Sequence, residues 1–374
     1  TGACWHPSKR GYPKIGNLLS IDRKIATNMI YTDFSVKNYR GIRQCKLEKL
    51  ELINLFFGKN NCGKSSLLES LFILSGPDNP TLPILANKSR ALDSLEETDL
   101  KIEFYQANPE HIIQLNSLGE QSRQVSIQMI ESHSQNISLE DLQKNSSESA
   151  GKRYGLKINF STEAEKESKY HSELVVTEEK SGNITSDKRY KEALYAEYIP
   201  SNHIQIDIVE KMTEIIQNKQ EKEIVEALQI VEPRITDVQL VGKRVMVDVG
   251  LPTRLPINVL GDGVRKVLAV ILSIYTCRNG VLIIDELDNG LHFSVMPQLW
   301  EVILYMCQKH HTQIFASTHS MDLVKSLVKA IGKSAQMPQI ASYKLIRKAD
   351  DELVALRYSA EELSYAIKQE MEVR

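Results

Sequence analysis

Eight residues constrain this chain more than any other feature: Gly58-Lys59-Asn60-Asn61-Cys62-Gly63-Lys64-Ser65 follows G-x-x-x-x-G-K-[ST] without deviation. The run Glu51–Phe57 before it has the character of a buried strand. After it, Lys64–Leu74 places Leu67, Leu68, Leu71, Phe72 and Leu74 on a helical face. Glycines in such a loop let backbone N–H groups curl around a phosphate chain. The dipole of the following helix acts on the same anion. In this pattern Lys64 reaches the β- and γ-phosphates and Ser65 offers a hydroxyl ligand to Mg²⁺. Gly58, Asn60, Asn61, Gly63 and Ser66 complete the cradle.

Two later strands end in chemistry. Val281-Leu282-Ile283-Ile284 runs into Asp285-Glu286. A buried parallel strand delivers its C-terminal residues to the edge where phosphates sit. Asp285 is then placed for Mg²⁺ and Glu286 to polarise an attacking water as general base. A helix length further on, Ile314-Phe315-Ala316-Ser317-Thr318-His319-Ser320 brings His319 toward the γ-phosphate or that water. Gly261-Asp262-Gly263 precedes Val264-Arg265-Lys266 and opens another helix, Gly263–Cys277, a second anion-binding helix end. One subunit has little use for two such ends at one nucleotide. A dimer does, because the second end can cap a γ-phosphate bound by the partner.

The rest of the chain bounds the answer. Lys+Arg 46 against Asp+Glu 48 gives a net charge of −2, which excludes a strongly basic protein that coats nucleic acid by bulk charge. With 42% apolar and 25% charged residues, 374 residues supply a sizeable core. The five cysteines, Cys4, Cys45, Cys62, Cys277 and Cys307, are dispersed and form no CxxC, so a reducing, cytoplasmic setting is expected. The longest apolar runs are far shorter than the roughly 20 residues that span a bilayer, and no membrane role is expected.

The expected class is α/β: a mixed sheet with helices on both faces plus an inserted β-rich and helical subdomain. Residues 1–28 read as a leader or tag-like segment, poorly ordered. The first stretch of the core is 29–76, with strands at Ile30–Val36, Lys46–Leu50 and Glu51–Phe57. Residues 77–197 form the insert. It has short alternating runs at Asp99–Tyr105, Val125–Ile130, Gly155–Phe160 and Glu173–Thr177, and a polar excursion at Glu131–Gly151. The core resumes over 198–340, opening on amphipathic helices in Asp207–Val231. Residues 341–374 close the chain with one strand, Ser342–Arg347, and a helix from Ser359; Asp350-Asp351-Glu352 reads as a turn.

The order of motifs resembles the ATP-binding-cassette ATPases of the SMC and RecF type, and within them the AAA-family ATPases related to OLD proteins. The segments that carry the resemblance are Asn38-Tyr39-Arg40-Gly41-Ile42, the phosphate loop, the GDGxRK segment, IIDELDNGLH and STHS, over Ile30 to Ser320. It implies a head-to-head homodimer with two ATP molecules and Mg²⁺ sandwiched between subunits. Gly261, Asp262 and Gly263 stand where transporters carry LSGGQ, and Asp288-Asn289-Gly290-Leu291-His292 is the loop that couples the two sites. By the same resemblance Asn289 and Arg40 contact nucleotide. Two departures stand out. No Q-loop glutamine is identifiable, and Ser201 or Asn202 takes its place. Only about 55 residues follow His319, without the DxD strand of the Toprim nuclease domain carried by many OLD proteins.

The expected function is therefore an ATP-hydrolysing dimeric switch. It would regulate a separate effector, a nuclease or toxin, in DNA-linked or anti-phage defence, with nucleic acid as a further candidate partner. An ATP-loaded scaffold with little turnover is the alternative. The missing LSGGQ and Q-loop glutamine argue against a transporter subunit. Cys62 reads as a small loop residue, and His310-His311 as an exposed helix end without a third metal ligand.

Overall fold

The computed structural model describes residues 29–88, 90, 92, 95–132, 153–162, 169–177, 181–201, 208–333 and 339–369. The leader, Asn202 and most of the excursion at Glu131–Gly151 lie outside the described residues. The first half runs β1 (Asp33–Tyr39), β2 (Ile42–Leu47), β3 (Ile53–Phe57), α1 (Lys64–Ser75), α2 (Leu82–Lys88), α3 (Glu97–Lys101), β4 (Ile113–Leu118), β5 (Arg123–Ser132), β6 (Arg153–Thr162), β7 (Tyr170–Val176), β8 (Gly182–Ser186) and β9 (Ala196–Ile199). The second half runs α4 (Ile208–Gln217), α5 (Glu221–Leu228), β10 (Asp237–Val241), β11 (Arg244–Asp248), β12 (Leu255–Pro256), α6 (Asp262–Thr276), β13 (Val281–Ile284), α7 (Met296–His310), β14 (Gln313–Thr318), α8 (Met321–Lys333), β15 (Ile340–Arg347), β16 (Glu352–Ser359) and α9 (Ala360–Lys368).

Among the described residues one large sheet has the order β8-β7-β6-β5-β4-β1-β2-β16-β15-β3-β14-β13-β9, and β10-β11-β12 form a small sheet beside it. The five strands from β15 to β9 are mutually parallel. Their central members are buried on both faces, and period-two alternation sorts their side chains. Leu55, Phe57, Leu282, Ile284, Ile314 and Ala316 face the core that packs under α4–α9. Phe56, Val281, Ile283 and Phe315 face the core shared with α1. The strands of the insert, β4–β8, continue the same sheet, because β4 pairs antiparallel with β1 from Asp33↔Leu118 to Lys37↔Gln114.

Three local expectations are corrected. Asp99–Tyr105 is not a strand: α3 ends at Lys101, hydrogen-bonded turns carry the chain through Ile102 and Glu103, and the extended Phe104 makes a single antiparallel bridge to Tyr39 before a 3₁₀ turn at Tyr105–Ala107. Leu100 and Phe104 are both fully buried, Leu100 on the helix and Phe104 at the bridge. The second strand spans Ile42–Leu47 because a two-residue turn, with Arg40 at φ 50°, lets Tyr39 pair with Ile42. The C-terminal segment holds two strands. β16 pairs antiparallel with β15, and in parallel with β2 through Glu352↔Gln44 and Leu353↔Cys45. Only Leu353 of its eight residues is buried, so its apolar alternation is faint. The helix expected from Ser359 is present, and Ser359 with Glu362 forms a capping box.

Candidate functional site

Parallel pairing builds the site. Thr318 of β14 lies opposite Phe57 of β3, and Ile284 of β13 lies opposite Ala316 of β14. The phosphate loop, Asp285-Glu286 and His319 therefore leave the sheet at one edge, within three strands spaced about 5 Å apart.

The loop has a backbone that side chains would block. Gly58 has φ 154°, and a Cβ there would come within 2.7 Å of the Leu345 carbonyl oxygen. Gly63, at φ 108°, starts α1, and Asn61 takes the left-handed conformation that Asn tolerates. Lys64 is 7% exposed, and its Nζ donates to the carbonyl oxygens of Gly58 and Lys59, both at 3.0 Å. Asn60 and Asn61 are exposed, and Ser65 and Ser66 half-buried, at the loop's outer surface. Cys62 is buried in the core, as a small loop residue should be.

Asp285 is 5% exposed. The Ser317 hydroxyl donates to its Oδ1 at 2.5 Å and accepts from the Glu286 backbone N–H at 2.9 Å. Glu286 has φ 52°, an uncommon region for a non-glycine residue, and Ser317 holds it there. Thr318 Oγ1 donates to Asp288 Oδ1 at 2.6 Å, which pins the next turn of the loop. The half-exposed His319 brings Nδ1 to 3.7 Å from Glu286 Oε1. Sequence reasoning missed the roles of Ser317 and Thr318. The available signal was two polar residues closing a strand that is otherwise apolar.

The GDG segment stands apart from this cradle. Gly261 is exposed, and the Asp262 side chain is 85% exposed. The nearest atoms to a Cβ on Gly263 belong to Val295. One turn into α6, Lys266 is buried and donates from Nζ to the Asn289 carbonyl oxygen. Burial pushes its ammonium down to about 8, with Asp288 and Glu286 pulling the other way. Asn289 in turn donates from Nδ2 to the Ser201 carbonyl oxygen at 2.8 Å, so Ser201 meets the loop after β13.

Arg40 is held by acidic partners, one of them on the phosphate-loop helix. It is 8% exposed, and its guanidinium binds Glu69 of α1 at 2.7 Å and Glu103 at 3.2 Å, with Asn87 beside them. Arg90 holds the other Glu69 oxygen at 2.9 Å. These contacts form a buried ion-pair centre that fastens the β1–β2 turn to the phosphate-loop helix. Removing one partner of a buried pair leaves an uncompensated charge. Arg40→Met should therefore cost about 3 kcal/mol in denaturant unfolding without nucleotide, with ATP affinity little changed in the folded fraction. Unaltered stability with weakened ATP binding would instead assign Arg40 the nucleotide role. His310 is corrected: it is partly buried, with Nε2 at 2.5 Å from Glu223 Oε1, and ties α7 to α5.

Among the described residues no group of three or more His, Cys, Asp or Glu side chains is arranged to hold a metal. No helix among them is long and apolar enough to cross a membrane. A glycine-limited phosphate loop, a buried lysine and a strand-end acid pair on a parallel sheet define an ATPase of the P-loop class. Residues 53–325 match the family described as "AAA domain, putative AbiEii toxin, Type IV TA system". That match spans well over half of the chain, and the chain belongs to this family. Along nearly its whole length it is similar to an ATP/GTP phosphatase of Helicobacter pylori, 25% identical over 366 residues, covering 90% of this chain and 97% of that protein. A stretch of 98 residues is 35% identical to the DNA replication and repair protein RecF of a Thermoanaerobacter species, covering 24% of this chain and 27% of RecF. Among solved structures, an Smc head domain of Pyrococcus furiosus bound to the C-terminal domain of ScpA aligns at TM-score 0.46 and 10% identity, covering 91% of this chain and 98% of that one.

Proposed function

We propose that this protein binds ATP with Mg²⁺ and hydrolyses it as a homodimer with two nucleotides held between subunits. Its ATP state would control a separate effector protein, a nuclease or toxin, in DNA-linked or anti-phage defence. The observation that carries the reading is the meeting of Lys64, Asp285, Glu286 and His319 at one sheet edge.

The residues present fit the nucleotide. Gly58 and Gly63 leave the loop backbone free to face phosphate oxygens, and Lys64 can exchange two carbonyl partners for them. Ser65 and Asp285 would hold Mg²⁺, which neutralises phosphate charge when bound. Glu286 would take a proton from the attacking water, and His319 would hold that water or the γ-phosphate. The near-complete overlap with an ATP/GTP phosphatase supports hydrolysis.

The exposed start of α6 supports the dimer. Gly261, Asp262 and Gly263 present a helix N-terminus to solvent, where a partner's γ-phosphate could meet it. The effector is supported by the family description, which names a toxin and a TA system. In this reading residues 29–76 and 198–340 are the ATPase core and 77–197 an arm on it. Light scattering with Mg²⁺ and a non-hydrolysable ATP analogue should show the mass of two chains, reverting to one after nucleotide removal. A mass of one chain at saturating analogue would sink the sandwich dimer.

A further inference from the structure

The structure assigns a further role to Lys266: we infer that it is a positioning residue for hydrolysis, tying the start of α6 to the loop that carries Glu286. Its Nζ donates to the Asn289 carbonyl oxygen, and the Asn289 N–H donates to the Glu286 carbonyl oxygen at 2.9 Å. The loop from Glu286 to Asn289 is thus a closed turn whose far end is held by α6. The carboxylates of Asp288 and Glu286 both lie close enough to attract the ammonium. The cavity between Lys266, Asp285, Glu286, Asn289 and Ser201 has a volume of about 20 Å³, room for a single water. The ammonium of Lys266, a residue only 8% exposed, loses most of its hydration there. A methionine of similar length would pack against Ala269 and Val270 without that cost. Stability therefore does not account for a cation at this position, whereas control of the Glu286 loop does. Because Lys266 lies one turn from the exposed Asp262, whatever engages the α6 N-terminus acts on Glu286 of the same subunit through it.

This inference rests on the reading of Glu286 as general base. The test is Lys266→Met in the full chain, with kcat, ATP affinity and thermal unfolding measured side by side. The expected result is a kcat at least 10-fold lower, ATP affinity within about 3-fold of wild type, and an unfolding temperature equal or higher. A kcat within 2-fold of wild type would overturn the inference. So would a parallel loss of unfolding temperature, affinity and kcat, which marks a purely structural side chain. Absence of turnover in the wild-type protein would overturn the reading of Glu286 itself, a separate and distinguishable failure.

Discussion

Glu286→Gln should lower ATP turnover on the order of 10³-fold while leaving ATP binding within about 3-fold of wild type. The substitution is isosteric and removes the carboxylate charge together with its ability to accept a proton. The backbone at this position is held by the Ser317 hydroxyl, a contact that does not involve the carboxylate. Asp285 keeps its own bond to Ser317, and Lys64 is untouched, so the proposed phosphate and cation sites persist. His319 lies 3.7 Å from the lost carboxylate and cannot replace it at the same geometry, because it approaches from the neighbouring strand. Binding without hydrolysis should make the nucleotide-bound dimer accumulate. Phosphate release and light scattering on the same sample check both outcomes. Unchanged turnover would remove Glu286 from the mechanism.

Lys64→Ala should weaken ATP binding about 100-fold, a loss of about 2.7 kcal/mol. The ammonium is buried and already hydrogen-bonded to the Gly58 and Lys59 carbonyl oxygens, so it is oriented before nucleotide arrives. Exchange of neutral carbonyls for charged phosphate oxygens strengthens each bond, since it adds attraction between opposite full charges to hydrogen bonds that only the ammonium had charged. Binding should therefore lose more from this change than folding does. Titration with a fluorescent ATP analogue and with tripolyphosphate gives the comparison. Both affinities should fall together, because Lys64 acts on phosphate and not on the base. A fall for ATP alone would place Lys64 away from the phosphates.

Much of the site was legible because its signals are local. A strand, a glycine-limited turn and a helix within about twenty residues identify the cradle without reference to the rest of the chain. The acid pair and His319 were legible because buried parallel strands announce themselves as apolar runs ending in polar residues. The ion-pair partners of Arg40 were not legible, for the opposite reason. Its local segment suits a nucleotide contact, but its partners Glu69 and Glu103 lie 29 and 63 residues away, on elements whose approach no local pattern reports. β16 was missed because its place in the sheet depends on β15 and β2, and its own residues are mostly half-buried. Ser317 was visible as a member of its segment, yet its work on Asp285 spans 32 positions.

By itself the sequence determined the phosphate loop, the acid pair and the α/β class, since these follow from backbone hydrogen bonding, helix dipoles and apolar periodicity acting over short stretches. Only the tertiary structure decided that Arg40 is consumed in a buried ion pair, that Glu286 is held at positive φ by Ser317, and that Lys266 reaches the loop after β13. Each of these depends on side chains from distant strands and helices meeting at a few ångströms, and that meeting is set by packing.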